Sequence, residues 1–171
     1  MRKINAPITL WGEEFLSEQL DAVDAKILDL IQHDAGLSVA EIAERVGLSS
    51  SPCWRRIKRL EDAGVIQRRV TILDREKLGL AICVFAHVSL VRHTDGAVED
   101  FERLALACPE IMECASITGE ADYMIKVVVP DMKAYDRFLQ ERLFKLKGVS
   151  SIRTNVVLRD VKYETALPLP P

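Results

Sequence analysis

Apolar positions recur at helical spacing through the first third of the chain and at strand spacing in much of the remainder. Val23, Ile27, Leu30 and Ile31 share one helical face. Asp21, with Asp24 three residues on, is a weak form of capping box at the start of that helix, and Gly36 ends it. Ser38-Val-Ala-Glu41 is a full capping box for a second, short helix. Its inner face is Ile42, Ala43 and Val46, and Gly47 stops it. Ser49, Ser50, Ser51 and Pro52 open a third helix, since serine caps a helix and proline is tolerated in its first turn. Cys53, Ile57 and Leu60 line its inner face at i, i+4 and i+7, and Gly64 is its C-terminal stop. Residues 65–73 read as extended, and residues 73–80 as a short charged connector. Residues 1–19 lack a period and read as an arm.

The second half has another rhythm. Residues 81–91 predict a long strand, apolar at nearly every position. Asp95 is placed to cap a helix presenting Val98, Phe101, Leu104 and Ala105, which Pro109 closes. Residues 111–118 predict a strand, Gly119 to Asp122 a turn, and residues 123–129 another strand. Pro130 breaks it, and Asp131 caps a helix with Met132, Tyr135, Phe138, Leu139 and Leu143 inward. Gly148 ends that helix, and residues 149–161 form the last strand. The order β-α-β-β-α-β predicts a four-stranded antiparallel sheet with two helices on one face, the split βαβ or ferredoxin-like plan. The fold class is therefore α+β. The domains are an arm at 1–19, a three-helix domain at 20–73, a hinge at 74–80 and a sheet domain at 81–171. The sheet face without helices needs a partner, which predicts a dimer or a larger homo-oligomer.

At 171 residues with 49% apolar and 29% charged side chains, the chain is too apolar to be disordered. It has no uncharged run near the roughly 18 residues that span a bilayer. Met1 to Trp11 lacks the apolar stretch of a secretory leader. Cys53, Cys83, Cys108 and Cys114 form no C-x-x-C pair, so they read as reduced thiols in a cytoplasm. His33, His87 and His93 have no metal-ligand spacing with them, and no glycine-rich phosphate loop is present, so neither metal nor cofactor is expected. No nucleophile stands beside a base, which argues against an enzyme.

A net charge of −3 excludes a globally basic nucleic-acid binder but not a local patch. Residues 49–70 hold six basic side chains (Arg55, Arg56, Lys58, Arg59, Arg68, Arg69) against Glu61 and Asp62, a local charge of +4. A short helix, a glycine turn and a basic helix make a helix-turn-helix whose second helix enters the major groove of duplex DNA. A generic helical hairpin is the alternative that this charge argues against. Ser50, Ser51, Trp54 and Arg55 lie where base edges are read, and Ser49 and Pro52, which open the helix, count with them among the DNA-binding residues. Lys58, Arg59, Arg68 and Arg69 are placed for phosphates, with Arg68 and Arg69 on a small wing. Trp54 packing on a neighbouring helix is a second reading. Cys53 reads as core.

The turn at Thr118, Gly119, Glu120, Ala121, Asp122 and Tyr123 offers what a free amino acid needs. Gly119 permits close backbone approach, successive N–H groups can form an anion nest, Asp122 can accept from an ammonium, and Tyr123 adds a hydroxyl and a wall. A capped turn with Asp122 bonded to backbone is the alternative.

The chain resembles the Lrp/AsnC, or feast/famine, family of transcription regulators. The resemblance spans residues 20–168. It rests on Leu20-Asp-Ala-Val-Asp-Ala-Lys-Ile-Leu28, Val46-Gly-Leu-Ser49, Pro52-Cys-Trp-Arg-Arg56 with Leu60-Glu61, Gly64-Val-Ile66, the hinge Leu73-Asp-Arg-Glu-Lys-Leu-Gly-Leu80, and Gly119-Glu-Ala-Asp-Tyr123. It implies a winged helix-turn-helix, a ligand-sensing (RAM) domain, dimers joined sheet to sheet, assembly to octamers, and an amino-acid effector at the 118–123 loop. Pro52-Cys-Trp54 and the tail from Lys162-Tyr163 to Leu167-Pro-Leu169 resemble a branch associated with cysteine catabolism, which implies cysteine or another sulfur amino acid. Two other functions fit the same plan. One is an architectural protein wrapping DNA with little sequence choice. The other is a decarboxylase of the fold-related haem-precursor group, which would need active-site histidines or arginines where the second domain offers His87, His93 and Arg103.

Overall fold

The computed structural model describes residues 20–91 and 96–169; the expected arm, the Asp95 cap and His93 lie outside them. The described chain forms two compact units, residues 20–72 with 163–169, and residues 73–162. Residues 163–169 thus group with the helical unit rather than with the sheet.

The first unit holds α1 (Ala22–His33), α2 (Val39–Val46) and α3 (Ser50–Asp62). The box at Asp21 is complete. Its side chain accepts from the Val23 and Asp24 N–H groups, and the Asp24 carboxylate accepts from the Asp21 N–H. Ser38 and Glu41 do the same for α2. Gly47 sits at φ 71°, the left-handed region, and its N–H donates to the carbonyls of Ala43 and Glu44. That closes α2 one turn before α3 begins, a conformation for which glycine is suited. Ser49 is the N-cap of α3 by backbone geometry alone; its side chain makes no capping bond. Ile27, Ile31, Leu37, Ile42, Ala43, Cys53, Ile57 and Leu60 form one buried cluster. Burying each large apolar side chain contributes roughly 1.5–3 kcal/mol, so the helical stripes read from the sequence are what hold the unit. Residues 67–74 carry no strand, and the expected wing is an irregular exposed segment.

The second unit runs β1 (Ile82–Leu90), α4 (Ala97–Ala107), β2 (Ile111–Ser116), β3 (Tyr123–Val129), α5 (Met132–Glu141), a 3-10 turn (Leu143–Lys145) and β4 (Val149–Val156). The sheet order is β2-β3-β1-β4, antiparallel throughout. Val84, Ala86 and Val88 of β1 and Tyr123, Ile125, Val127 and Val129 of β3 pack with Phe101, Tyr135, Phe138 and Leu143. By strand alternation Phe85, His87, Met124 and Lys126 point to the other face. There the Lys126 ammonium lies 6.0 Å from the Phe85 ring centroid.

Three expectations are corrected. Val98 and Met132 are exposed rather than inward, because Ala97 and Phe101 of α4 and Tyr135 and Phe138 of α5 take the buried stripe. Gly96, at φ 78°, occupies the N-cap of α4. The last strand stops at Val156 rather than at residue 161, because Val84 is its last ladder partner on β1.

Gly148 does not end a helix, since α5 stops at Glu141 and the 3-10 turn at Lys145; it allows a close approach instead. A Cβ there would lie 2.4 Å from the Ala97 Cβ. Gly148→Ala is therefore expected to destabilise the protein by about 1–3 kcal/mol through overpacking. Urea denaturation checks it, and an unchanged midpoint would contradict the close approach.

Candidate functional site

The outer surface of α3 is set by how its inner surface is held. Cys53, Ile57 and Leu60 are buried, so Trp54, Arg55 and Lys58 are turned outward. Trp54 is 55% exposed, which removes the reading that packs it on a neighbouring helix. Behind this face lies Asp24 of α1, 1% exposed. Arg56 donates to Asp24 at 2.9 Å and to Asp21 at 2.6 Å, and Arg59 also donates to Asp24. These bonds hold the Arg56 guanidinium above its ordinary value, first through Asp21 and then through Asp24. Accepting the Asp24 N–H, and then pairing with Arg56, holds the Asp21 carboxyl below its ordinary value.

The six basic residues are thus unequal. Arg56 and Arg59 fasten α3 to α1. Lys58 pairs with Asp62 at 2.9 Å and Arg69 with Glu61 at 3.4 Å. Both are surface pairs that salt screens. Arg55 and Arg68 have no ion pair among the described residues. The +4 count therefore overstates the cationic surface, since Asp21 and Asp24 offset it from outside the window. Ser50 and Ser51 are exposed at the start of α3, with Pro52 half-buried behind them. Here the backbone N–H groups of a helix's first turn face outward, a ready partner for an anion.

The 118–123 loop divides. Gly119, at φ 127°, turns the chain. Thr118, Glu120 and Ala121 line a cleft of about 380 Å³ with His87, Ile117, Arg153 and Asn155. Within it the Arg153 guanidinium meets Glu120 at 2.7 Å, and Asn155 lies 3.4 Å from His87 Nδ1. Asp122 does other work. Its carboxylate accepts from the Leu90 N–H at 2.7 Å, its N–H donates to the Val88 carbonyl, and its carbonyl accepts from Ile117. Tyr123 is buried with its ring 4.7 Å from that of Phe101, and its hydroxyl donates to Glu102 at 2.7 Å. Burial, then that bond, pushes its hydroxyl up to about 12. Tyr123 lines a separate cleft of about 570 Å³ beside β2. The structure therefore brings Thr118, Glu120 and Ala121 together but sends Asp122 and Tyr123 elsewhere. Sequence reasoning missed His87, Arg153 and Asn155. The signal would have been strand register, since His87 stands opposite Arg153 across β1 and β4.

Removing the Asp24 carboxylate strands two guanidinium groups that still reach water. Asp24→Ala is expected to cost about 1–3 kcal/mol, the range for a lost buried charged acceptor. Asp21 adds a pH signature. A lowered carboxyl contributes stability above its ordinary value, about pH 4, and loses it as pH falls through the lowered one. The stability gap between the native chain and Asp21→Asn is thus expected to be level from roughly pH 5 to 8 and to close in acid. Thermal melts across that range check it.

Known proteins match both units. The winged helix-turn-helix DNA-binding family matches residues 20–67, and the Lrp/AsnC ligand binding domain matches residues 83–167. The glutamate uptake regulatory protein of Zymomonas mobilis is 39% identical over 152 residues, covering 89% of this chain and 92% of that protein. The DNA-binding transcriptional activator DecR of Escherichia coli is 37% identical over 150 residues, covering 88% and 99%. A transcriptional regulator of Neisseria meningitidis, solved with L-methionine, superposes with a TM-score of 0.84 at 38% identity, covering 87% and 96%. A helix-turn-helix unit followed by a four-stranded sheet unit, matched along both, makes this chain a member of the Lrp/AsnC family of DNA-binding transcription regulators.

Proposed function

We propose that α3 reads a specific duplex sequence and that an amino acid in the cleft at Arg153 and Glu120 tunes that binding. The observation that supports the first part is the free outer face of α3. Asp24 fixes the helix from behind, leaving Arg55 unpaired among the described residues beside the exposed Trp54, Ser50 and Ser51. Arg55 is suited to grip a guanine edge, where two parallel donors meet two acceptors. Ser49 and Pro52 shape the start of the helix. Lys58, Arg59, Arg68 and Arg69 supply phosphate contacts, which fix register and carry salt dependence. Arg59 does so with one edge still on Asp24.

A free amino acid carries an anion and a cation two bonds apart. Arg153 and Glu120 present the complementary cation and anion, already side by side. The ligand carboxylate would take Arg153 and its ammonium Glu120, with Thr118, Ala121 and Ile117 around the side chain. A sulfur amino acid is the first candidate, since the Neisseria meningitidis relative was solved with L-methionine. Homodimers through the sheet face of Phe85, Met124 and Lys126, and octamers built from them, belong to the same proposal. Sedimentation velocity checks the assembly.

Two mutant pairs test the reading on a duplex that the wild-type protein selects from a random pool. Arg55→Ala is expected to relax choice at one base pair, worth about 1–3 kcal/mol, while Arg68→Ala weakens all sequences and flattens the salt slope by about one ion. Equal losses on selected and random DNA for both would favour an architectural role. In the cleft, Arg153→Ala is expected to weaken amino-acid binding at least tenfold by calorimetry. Asp122→Asn, which still accepts from Leu90, is expected to leave that binding intact. The reverse pattern would restore Asp122 as the ammonium acceptor.

A further inference from the structure

The two units are joined twice by the chain. Residues 73–81 lead into β1, and residues 157–162 leave β4. Because β1 and β4 are antiparallel with Val84 opposite Val156, both segments emerge from one end of the sheet. Arg75 clasps them together. Its guanidinium donates to the carbonyls of Leu80 and Ala81 at 3.3 and 2.7 Å and to Asp160 at 3.2 Å. The Val157 N–H donates to the Cys83 carbonyl at 2.9 Å.

Beyond Lys162 the chain joins the helical unit, and there Gln32 of α1 pairs with it. Gln32 Nε2 donates to the Leu167 carbonyl at 3.0 Å, and Gln32 Oε1 accepts from the Leu167 N–H at 2.8 Å. A side-chain amide that pairs the N–H and the carbonyl of one residue fixes position and orientation, as a rung of a sheet ladder does. Glu164 shapes the approach by accepting from the Thr165 and Ala166 N–H groups at 2.9 and 3.0 Å. Neither DNA reading nor the cleft requires any of these contacts.

We infer that residues 163–169, held by Gln32, are a second mechanical link that carries the state of the Arg153–Glu120 cleft to α1, and that Gln32 is a positioning residue for the effector response. The inference rests on the cleft reading above. Arg153 and Asn155 stand on β4, so a ligand that draws Arg153 from Glu120 acts on the strand whose continuation is this strap. At the far end, α1 carries Gln32 in its last turn and Asp24 in its first. Asp24 holds Arg56 and Arg59 of α3, so a pull on α1 reaches the helix that faces DNA.

The test uses the full chain, Gln32→Leu, Gln32→Glu and a chain ending at Lys162. Free L-amino acids are titrated singly by calorimetry, and the best binder is then added to a DNA anisotropy titration. All four proteins are expected to bind that amino acid alike and to bind DNA without it within twofold of one another. The amino-acid-induced change in DNA Kd is expected to shrink at least fivefold in Gln32→Leu and in the truncated chain. Gln32→Glu, which keeps the bond from the Leu167 N–H alone, is expected to fall between. A full response in both Gln32→Leu and the truncated chain would overturn the inference and leave the cleft reading standing. Undiminished amino-acid binding in Arg153→Ala would overturn the cleft reading. Weaker DNA binding without amino acid in the two strap variants, with the response ratio unchanged, would reduce Gln32 to a stabilising contact and also overturn the inference.

Discussion

Asp24 is the buried charge around which the DNA-reading unit is arranged. Its carboxylate accepts from the Asp21 N–H, from Arg56 and from Arg59, so one residue completes the cap of α1 and anchors α3 at the same point. A carboxylate removed from water tolerates little slack, because losing a partner leaves a charge that solvent cannot reach. The consequence is orientation. Helix α3 cannot turn about its axis without breaking these bonds, and its outer face is thereby fixed with Arg55 and Trp54 outward. The apolar contacts of Cys53, Ile57 and Leu60 supply most of the adhesion, but hydrophobic burial is nondirectional. The charged bonds supply the angle.

That arrangement changes the meaning of local charge. A net charge of +4 in a window of 22 residues looks like a phosphate-binding stripe, yet Arg56 and Arg59 are spent on Asp21 and Asp24 of α1, and Lys58 and Arg69 pair with Asp62 and Glu61. On the proposed reading, Arg56 and Arg59 serve DNA binding as fasteners of α3. The cationic surface that remains is smaller and more discrete, and it suits a protein that must choose a sequence. Sequence-independent affinity grows with the number of phosphate contacts. Outside the patch the chain carries a net charge of −7, which opposes contact of the rest of the molecule with the duplex.

The elements were legible because helical and strand periods are strong signals. Tyr123 to Val129 is apolar at every position but Lys126, between a glycine turn and Pro130, and Ser38 with Glu41 declares a helix start by itself. Boundaries followed pairing instead. Residues 157–161 include two apolar side chains beyond Val157 and read as more strand, but the chain bends at Leu158 and Val161, so the ladder ends at Val156 with one last bond from the Val157 N–H to the Cys83 carbonyl. The site was less legible for the same reason. Asp122 and Glu120 look alike as acceptors on a turn. Which one faces a cleft depends on the β1 strand end, where Leu90 has a free N–H that Asp122 satisfies. Arg153 is 33 residues from Glu120 and meets it only through a register that no local pattern encodes. Likewise Arg56 reads as one more surface cation until α1 and α3 are packed together.

A ligand shifts an equilibrium only by as much as its affinity differs between the states. In this protein the cleft residues all belong to the sheet unit, and the DNA-facing residues all belong to the helical unit. The chain that joins the two is one route by which a difference in affinity can be expressed. The preformed Arg153–Glu120 pair makes that route economical. Each charge already has a partner, so an entering zwitterion exchanges one set of charged bonds for another rather than desolvating bare groups. On the proposed reading, what such an exchange alters is geometry at β4, more than electrostatic energy. A geometric change is the kind of signal that a strand, its continuation and a pinned helix can transmit.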